Sequence, residues 1–263
     1  MSELKALIFD VDGTLADTER NAHRPAFNKA FAAAGLNWHW SIELYGELLK
    51  VTGGKERILH YIESRLEGFQ PPGDLGEFIA GLHRAKTGYY TEMVAQGEVP
   101  LRSGVRRLLL EAQQAGLRLA IATTTSRENV EALLEYSLDR DAASWFEVIA
   151  AGDVVAAKKP APDIFHYALQ ALRLKAEDCV AVEDSANGLR AALGAGLQTL
   201  VTISDYTRKE PFAGAALVVD QLGEPDQPMT VLSGDAGGAS LVDVNLLRRL
   251  HARAPAQTRA AAS

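Results

Sequence analysis

Ala6-Leu7-Ile8-Phe9-Asp10-Val11-Asp12-Gly13-Thr14 is an apolar run that turns abruptly acidic and then meets a glycine. Continuous rather than alternating apolarity predicts a strand buried on both faces, as in a parallel sheet. Two carboxylates follow that strand two residues apart, and Gly13 permits a curl that brings both toward one point. On its own such a pair is more often a turn capped by aspartates.

The same shape recurs outward along the chain. Leu117 to Thr123 ends in threonines, and Val180-Ala181-Val182 ends in Glu183-Asp184. Phe146 to Ala150, Thr199 to Ile203 and Ala216 to Val219 are further short apolar runs. Helical stretches lie between several of them. Ser103 is expected to cap a helix from Gly104 to Ala115 that stops at Gly116. Pro162 is expected to start another, carrying Phe165, Leu169 and Leu172 on one face. Alternating strands and helices predict an α/β fold, a Rossmann-like core whose central parallel sheet is flanked by helices. Ligands in such sheets bind beyond the carboxyl ends of the strands. Asp10/Asp12, Thr123/Thr124 and Glu183/Asp184 all fall there.

Residues 18–97 break the alternation. Asn21–Ala34, Ser41–Leu49, Lys55–Leu66 and Leu75–Val94 are expected to be helices, with breaks at Gly35, Gly53-Gly54 and Pro71-Pro72-Gly73. We expect an inserted all-helical cap over 18–97 and a catalytic core over 1–17 and 98–225. We expect a C-terminal extension over 226–263, with a last helix at Asp243–His251 and a disordered end.

Composition narrows the function. Of 263 residues, 47% are hydrophobic and 23% charged, the balance of a globular protein. A net charge of -7 argues against a nucleic-acid partner, which needs a basic footprint. Cys179 is the single cysteine, so no internal disulfide can form, and we expect a small core residue there rather than a nucleophile. The start MSELKALIFD lacks the apolar region of a signal peptide, and no apolar stretch reaches the ~20 residues that span a bilayer. We expect a cytoplasmic monomer with no membrane partner.

The later motifs decide how the aspartate pair is read. Thr123 and Thr124 offer hydroxyls and backbone N–H groups to phosphate oxygens. Lys159, before Pro160, can aim an ammonium into a site. Glu183-Asp184 precedes the Gly/Ala-rich helix of Ser185-Ala186-Asn187-Gly188. Each is weak alone. Together they supply a nucleophile, an acid/base, a phosphate clamp, a counter-charge and a metal site.

This ordered set, DVDGT, threonines after a strand, KPAPDIF and VEDSANG, resembles the haloacid dehalogenase superfamily as far as about Asp220. The helical insertion resembles its capped members, which include β-phosphoglucomutase and phosphoglycolate phosphatase. VTGGKER (Val51–Arg57), IATTTSRENV (Ile121–Val130) and GDAGGAS (Gly234–Ser240) resemble the CbbY group, associated with clearing xylulose-1,5-bisphosphate, an inhibitory side product of Rubisco in the Calvin cycle. The resemblance implies a magnesium-dependent phosphatase acting on a small phosphorylated sugar. Asp10 would be the nucleophile and Asp12 the acid/base, with Thr123, Thr124 and Lys159 on the phosphate. Magnesium would sit on Asp10, Asp184 and the Asp12 carbonyl, with Glu183 beside or on it. Glu19, His23, Gly54, Lys55 and Arg57 would face the substrate from the cap.

Lys55 and Arg57 follow a Gly-Gly break, so a helix N-terminus and two cations could converge on a second phosphate, or simply be a solvated basic helix start. His23 shares a helix face with Phe27 and Phe31 and reads by itself as a packed histidine. Glu19 and His23 also stand one residue further apart than the family pattern, and Pro25 follows closely. A sugar phosphomutase, a phosphoglycolate phosphatase and a non-catalytic phosphometabolite sensor are the competing readings.

Overall fold

The computed structural model describes residues 3–253. Seven strands form one sheet: β1 (Ala6–Phe9), β2 (Arg118–Ala122), β3 (Val148–Ala150), β4 (Cys179–Glu183), β5 (Gln198–Thr202), β6 (Leu217–Val219) and β7 (Val231–Gly234). Their spatial order is β3-β2-β1-β4-β5-β6-β7, and every neighbouring pair is parallel except β6–β7. The sheet is the parallel, helix-flanked core that the apolar runs predict.

Alternation along a strand explains why β1 reads as continuously apolar. Leu7 and Phe9 enter one buried cluster with Leu119, Ile121, Val180 and Val182. Ala6 and Ile8 enter another, on the opposite face, with Ala120, Ala122 and Ala181. Both faces are covered, so neither set of positions is polar.

The inserted region contains α1 (Arg24–Ala33), α2 (Ile42–Leu48), α3 (Gly54–Arg65) and α4 (Leu75–Ala95), each within a residue or so of expectation except at the first entry. These helices close around their own aromatic cluster. Trp40 lies 4.7 Å from Phe27 and 4.8 Å from Phe31, ring centre to ring centre, and Asn28 pins the Trp40 backbone through both its N–H and its carbonyl. The two connections to the core run side by side, with Ala16 bridged to Leu101 and the Arg102 N–H donating to the Leu15 carbonyl.

Glu19–His23 forms a π turn, in which the Arg24 N–H reaches back five residues to the Glu19 carbonyl. A π turn absorbs one extra residue without ending the helix. Pro25 then falls at the second residue of α1, directly behind that π turn. The extra spacing and the proline therefore belong to one local device.

The remaining helices are α5 (Val105–Gln114), α6 (Arg127–Leu133), α7 (Asp163–Leu172), α8 (Ala186–Gly194) and α9 (Val244–Ala252). Ser103 does not cap α5. Gly104, at φ +84°, takes that position, and the Ser103 hydroxyl is buried without a hydrogen-bond partner. As far as residue 253, the stretch set apart from sequence as an extension is built into the core. β7 is the seventh strand, and Met229, Val242, Leu246, Leu247 and Leu250 join the cluster beneath the sheet. The expected disordered end lies mostly outside the described residues. Among those described, no helix is long and apolar enough to cross a membrane.

Candidate active site

The carboxyl ends of β1, β2 and β4 meet beneath the helical insertion. Lys159, 5% exposed, projects into this point. Its Nζ donates to Asp10 Oδ1 at 2.7 Å, to Glu183 Oε1 at 2.6 Å and to the Ala122 carbonyl at 2.8 Å. Three acceptors around one ammonium outweigh the burial that opposes its charge, so the Lys159 pKa rises.

Asp10, Glu183 and Asp184 form a buried acidic cluster in which one oxygen of each lies within 4.8 Å of the others. Burial raises the Asp10 pKa to about 8; Lys159 opposes the rise, and Glu183 and Asp12 reinforce it. Burial, Asp10 and Glu183 likewise raise Asp184. Carboxylates crowded this closely call for a compensating cation, and a hard oxygen donor set fits a divalent ion such as magnesium. Backbone shape serves the cluster too. Gly13 has φ +86°, and a Cβ there would stand 2.1 Å from Asp184 Oδ2. A Cβ at Gly188, in the first turn of α8, would stand 1.9 Å from Glu183 Oε2. Both carboxylates thus rest where only glycine leaves room.

Asp12 faces the other way. Its Oδ1 receives the Thr18 hydroxyl at 2.6 Å and meets His23 Nε2 at 2.8 Å. On the far side of that ring, Lys86 Nζ lies 2.6 Å from Nδ1, and Tyr90 stacks at 4.4 Å. Lys86 donates, so Nδ1 accepts and the proton stands on Nε2, facing Asp12. Burial works against the Asp12 charge, but His23, Thr18 and Lys86 together hold its pKa at about 2. Lys86, 3% exposed, has its pKa lowered to about 8 by burial, against the pull of Asp12 and Glu19.

A cavity of about 100 Å³ opens on this centre, lined by Asp10, Asp12, Glu19, Arg57, Thr123, Thr124, Lys159, Asp184, Asn187, Ser204 and Tyr206 among others. The Thr123 hydroxyl accepts the Thr125 N–H at 3.3 Å and keeps its own proton to donate. Arg57 is buried, donating to the Tyr45 hydroxyl at 3.0 Å while its Nε has no partner. Tyr45 in turn donates to Glu19 at 2.5 Å.

Three of the expected substrate residues are placed elsewhere. His23 lies behind Asp12 rather than in the cavity. Lys55 is half exposed and pairs with Asp153 of the core at 2.6 Å, and neither it nor Gly54 lines the cavity. Residues that sequence reading passed over do meet the site. Lys86 is one. Arg102 is another: its guanidinium donates to the carbonyls of Gly13, Thr202, Ile203 and Asp220, tying the Asp10–Thr14 loop to the ends of β5 and β6. Ser204 donates to Asp184 Oδ2 at 2.7 Å.

The geometry is a buried strand-end carboxyl with a lysine counter-charge, an acidic cluster beside it and a second, separately supported carboxyl. A family model of the haloacid dehalogenase-like hydrolases matches residues 4–196. The chain belongs to that family, and it is a phosphatase. It is 50% identical over 227 residues to the plasmid-borne protein CbbY of Cupriavidus necator, covering 86% of this chain and 89% of the relative. It is 54% identical over 213 residues to CbbY of Rhodobacter capsulatus, covering 81% and 91%. Among solved structures, CbbY of Rhodobacter sphaeroides in complex with phosphate superposes with a TM-score of 0.78 at 51% identity, covering 83% of this chain and 94% of that one. A mutant of the same protein, in complex with xylulose-1,5-bisphosphate, matches equally.

Proposed function

We propose that the chain is a magnesium-dependent sugar-phosphate phosphatase that works through an aspartyl-phosphate on Asp10, with xylulose-1,5-bisphosphate as its substrate. One observation carries the mechanism: the two aspartates beyond β1 have unlike surroundings, Asp10 with Lys159 and the acidic cluster, Asp12 with His23 and Lys86. The similarity to CbbY supports the substrate.

Asp10 attacks phosphorus and the sugar oxygen leaves, splitting a very slow hydrolysis into two easier transfers. Lys159 and the Thr123 hydroxyl hold the equatorial oxygens of the transferring group. Asp10, Asp184 and the Asp12 carbonyl, with Glu183 alongside, would hold magnesium, which when bound would supply positive charge beside that group. Asp12 gives a proton to the leaving oxygen and later takes one from water. An arriving phosphate raises the proton affinity of Asp12 by adding negative charge beside it. The Nε2 proton of His23 can then pass to Asp12, and Lys86 can refill the ring through Nδ1. Arg57 lines the same cavity with an unpartnered Nε and is the cation for the second phosphate.

The test is phosphate release from a panel of sugar mono- and bisphosphates, with magnesium and after exhaustive chelation. The expected result is the highest kcat/KM on xylulose-1,5-bisphosphate and none after chelation. Full activity in the chelated protein, or no preference for that bisphosphate, would sink the corresponding half of the reading.

A further inference from the structure

Ser204 and Thr207, in the loop after β5, belong to no motif and yet converge on the acidic cluster. Both are more than nine-tenths buried. The Ser204 hydroxyl stands 2.7 Å from Asp184 Oδ2, the spacing of a charge-assisted O–H···O⁻ bond. Among the described residues it is the side chain that donates to the Asp184 carboxylate. Thr207 holds Ser204 in turn, its Oγ1 accepting the Ser204 N–H at 2.9 Å and lying 3.1 Å from the Ser204 hydroxyl. Because a carboxylate only accepts, the Ser204 proton points to Asp184 and the Thr207 proton can point to Ser204. The result is a directed chain, Thr207 to Ser204 to Asp184, in which each bond polarises the next. On its other side, Asp184 rests against Gly13, where no Cβ intervenes. The carboxylate is therefore confined between the backbone of the Asp10–Thr14 loop and a hydroxyl relay from β5.

We propose that Ser204 is a positioning residue for the cation, setting the orientation of Asp184 through a relay that begins at Thr207. This rests on the magnesium reading above. Without the hydroxyl, Asp184 loses its side-chain donor and can rotate. Hydrogen-bond partners of metal ligands typically contribute ten- to a hundredfold in metal affinity. Thr207 acts one bond further away and contributes less. Both act through the Asp184 carboxylate, so the effect falls on metal affinity rather than on chemistry at saturating metal.

The experiment titrates magnesium into metal-free protein by calorimetry, for wild type, Ser204→Ala, Ser204→Thr and Thr207→Val, and measures kcat against magnesium concentration. Ser204→Ala is expected to bind magnesium about 10–100-fold more weakly, with kcat recovered at high magnesium and an unchanged circular dichroism spectrum. Thr207→Val should lose a few-fold, and Ser204→Thr, which keeps the hydroxyl, should bind more tightly than Ser204→Ala. Magnesium affinity in Ser204→Ala equal to wild type would overturn the assignment while leaving the magnesium reading intact. So would a loss of kcat that excess magnesium does not restore. A wild type that binds no magnesium would overturn both.

Discussion

Asp10 and Asp12 leave the same strand two residues apart, and the fold gives them opposite electrostatic settings. Around Asp10 stand two more carboxylates and one ammonium, all from the core, and its pKa is pushed up to about 8. Around Asp12 stand a threonine at the entry to the inserted helices, a histidine within them and a lysine on α4, and its pKa is held at about 2. Under the proposed mechanism, the core would hold a cation and a phosphoryl group, and the inserted region would support the proton donor. Separating two carboxyl groups by environment is how one site obtains distinct roles from one residue type. The difference also divides the consequences of mutation, with core changes striking phosphoryl transfer and changes behind Asp12 striking the movement of protons.

The largest expected effect is that of Asp10→Asn. An amide of nearly the same shape is a poor nucleophile, so turnover should fall by more than about 10³-fold with the fold retained. Steady-state rates together with circular dichroism check this; a mutant within tenfold of wild type would remove Asp10 from its role. Asp12→Ala is next. Loss of a general acid and base should cost roughly 10²–10⁴-fold, and in rapid-mixing experiments both formation and decay of the phosphoenzyme should slow. Wild-type formation with slowed decay would confine Asp12 to the second step.

Arg57 and Lys55 separate cavity from surface. Arg57→Ala should lower kcat/KM about ten- to a hundredfold on a bisphosphate, the value of a charge-assisted hydrogen bond, and much less on a matched monophosphate. Lys55→Ala removes an exposed ion pair with Asp153, and such pairs contribute about 0–1 kcal/mol. Its loss should stay within about fivefold and be alike on both substrates. A selective loss on the bisphosphate in Lys55→Ala would return Lys55 to the substrate.

The finest prediction concerns pH. Lys86 is depressed to about 8, so in the folded protein it gives up its proton as pH passes that value, whereas the unfolded chain holds it to higher pH. If Lys86 refills His23, activity at saturating magnesium should fall above about pH 8, and Lys86→Met should lower the rate and abolish that alkaline limb. An unchanged limb in Lys86→Met would leave Lys86 a packing residue over Phe27 and Tyr90.

The sequence carried the core well because its signals are local. Strands buried on both faces produce runs such as Ala6–Phe9, and each reactive group follows directly at the strand end. β7 escaped because all four of its residues are exposed, so no apolar run marks it. Lys86 left a trace: it shares the buried face of α4 with Ile79, Leu82, Tyr90 and Met93, where a lysine needs a partner. That partner, His23, is 63 residues away. Arg102 and Ser204 left none, since single polar residues gain meaning only from carbonyls and carboxylates that the fold delivers. His23 was legible as a packed ring, and its packing on Tyr90 is what aims Nε2 at Asp12.

The central claim is that phosphorus passes through Asp10. Rapid acid quench of the protein mixed with ³²P-labelled sugar phosphate and magnesium tests it most directly. The expected result is a burst of protein-bound label, approaching one per chain, removed by hydroxylamine as an acyl phosphate, mapped by mass spectrometry to Asp10 and absent from Asp10→Asn. Label on another residue, or phosphate released in single turnovers with no protein-bound label at any time, would contradict it.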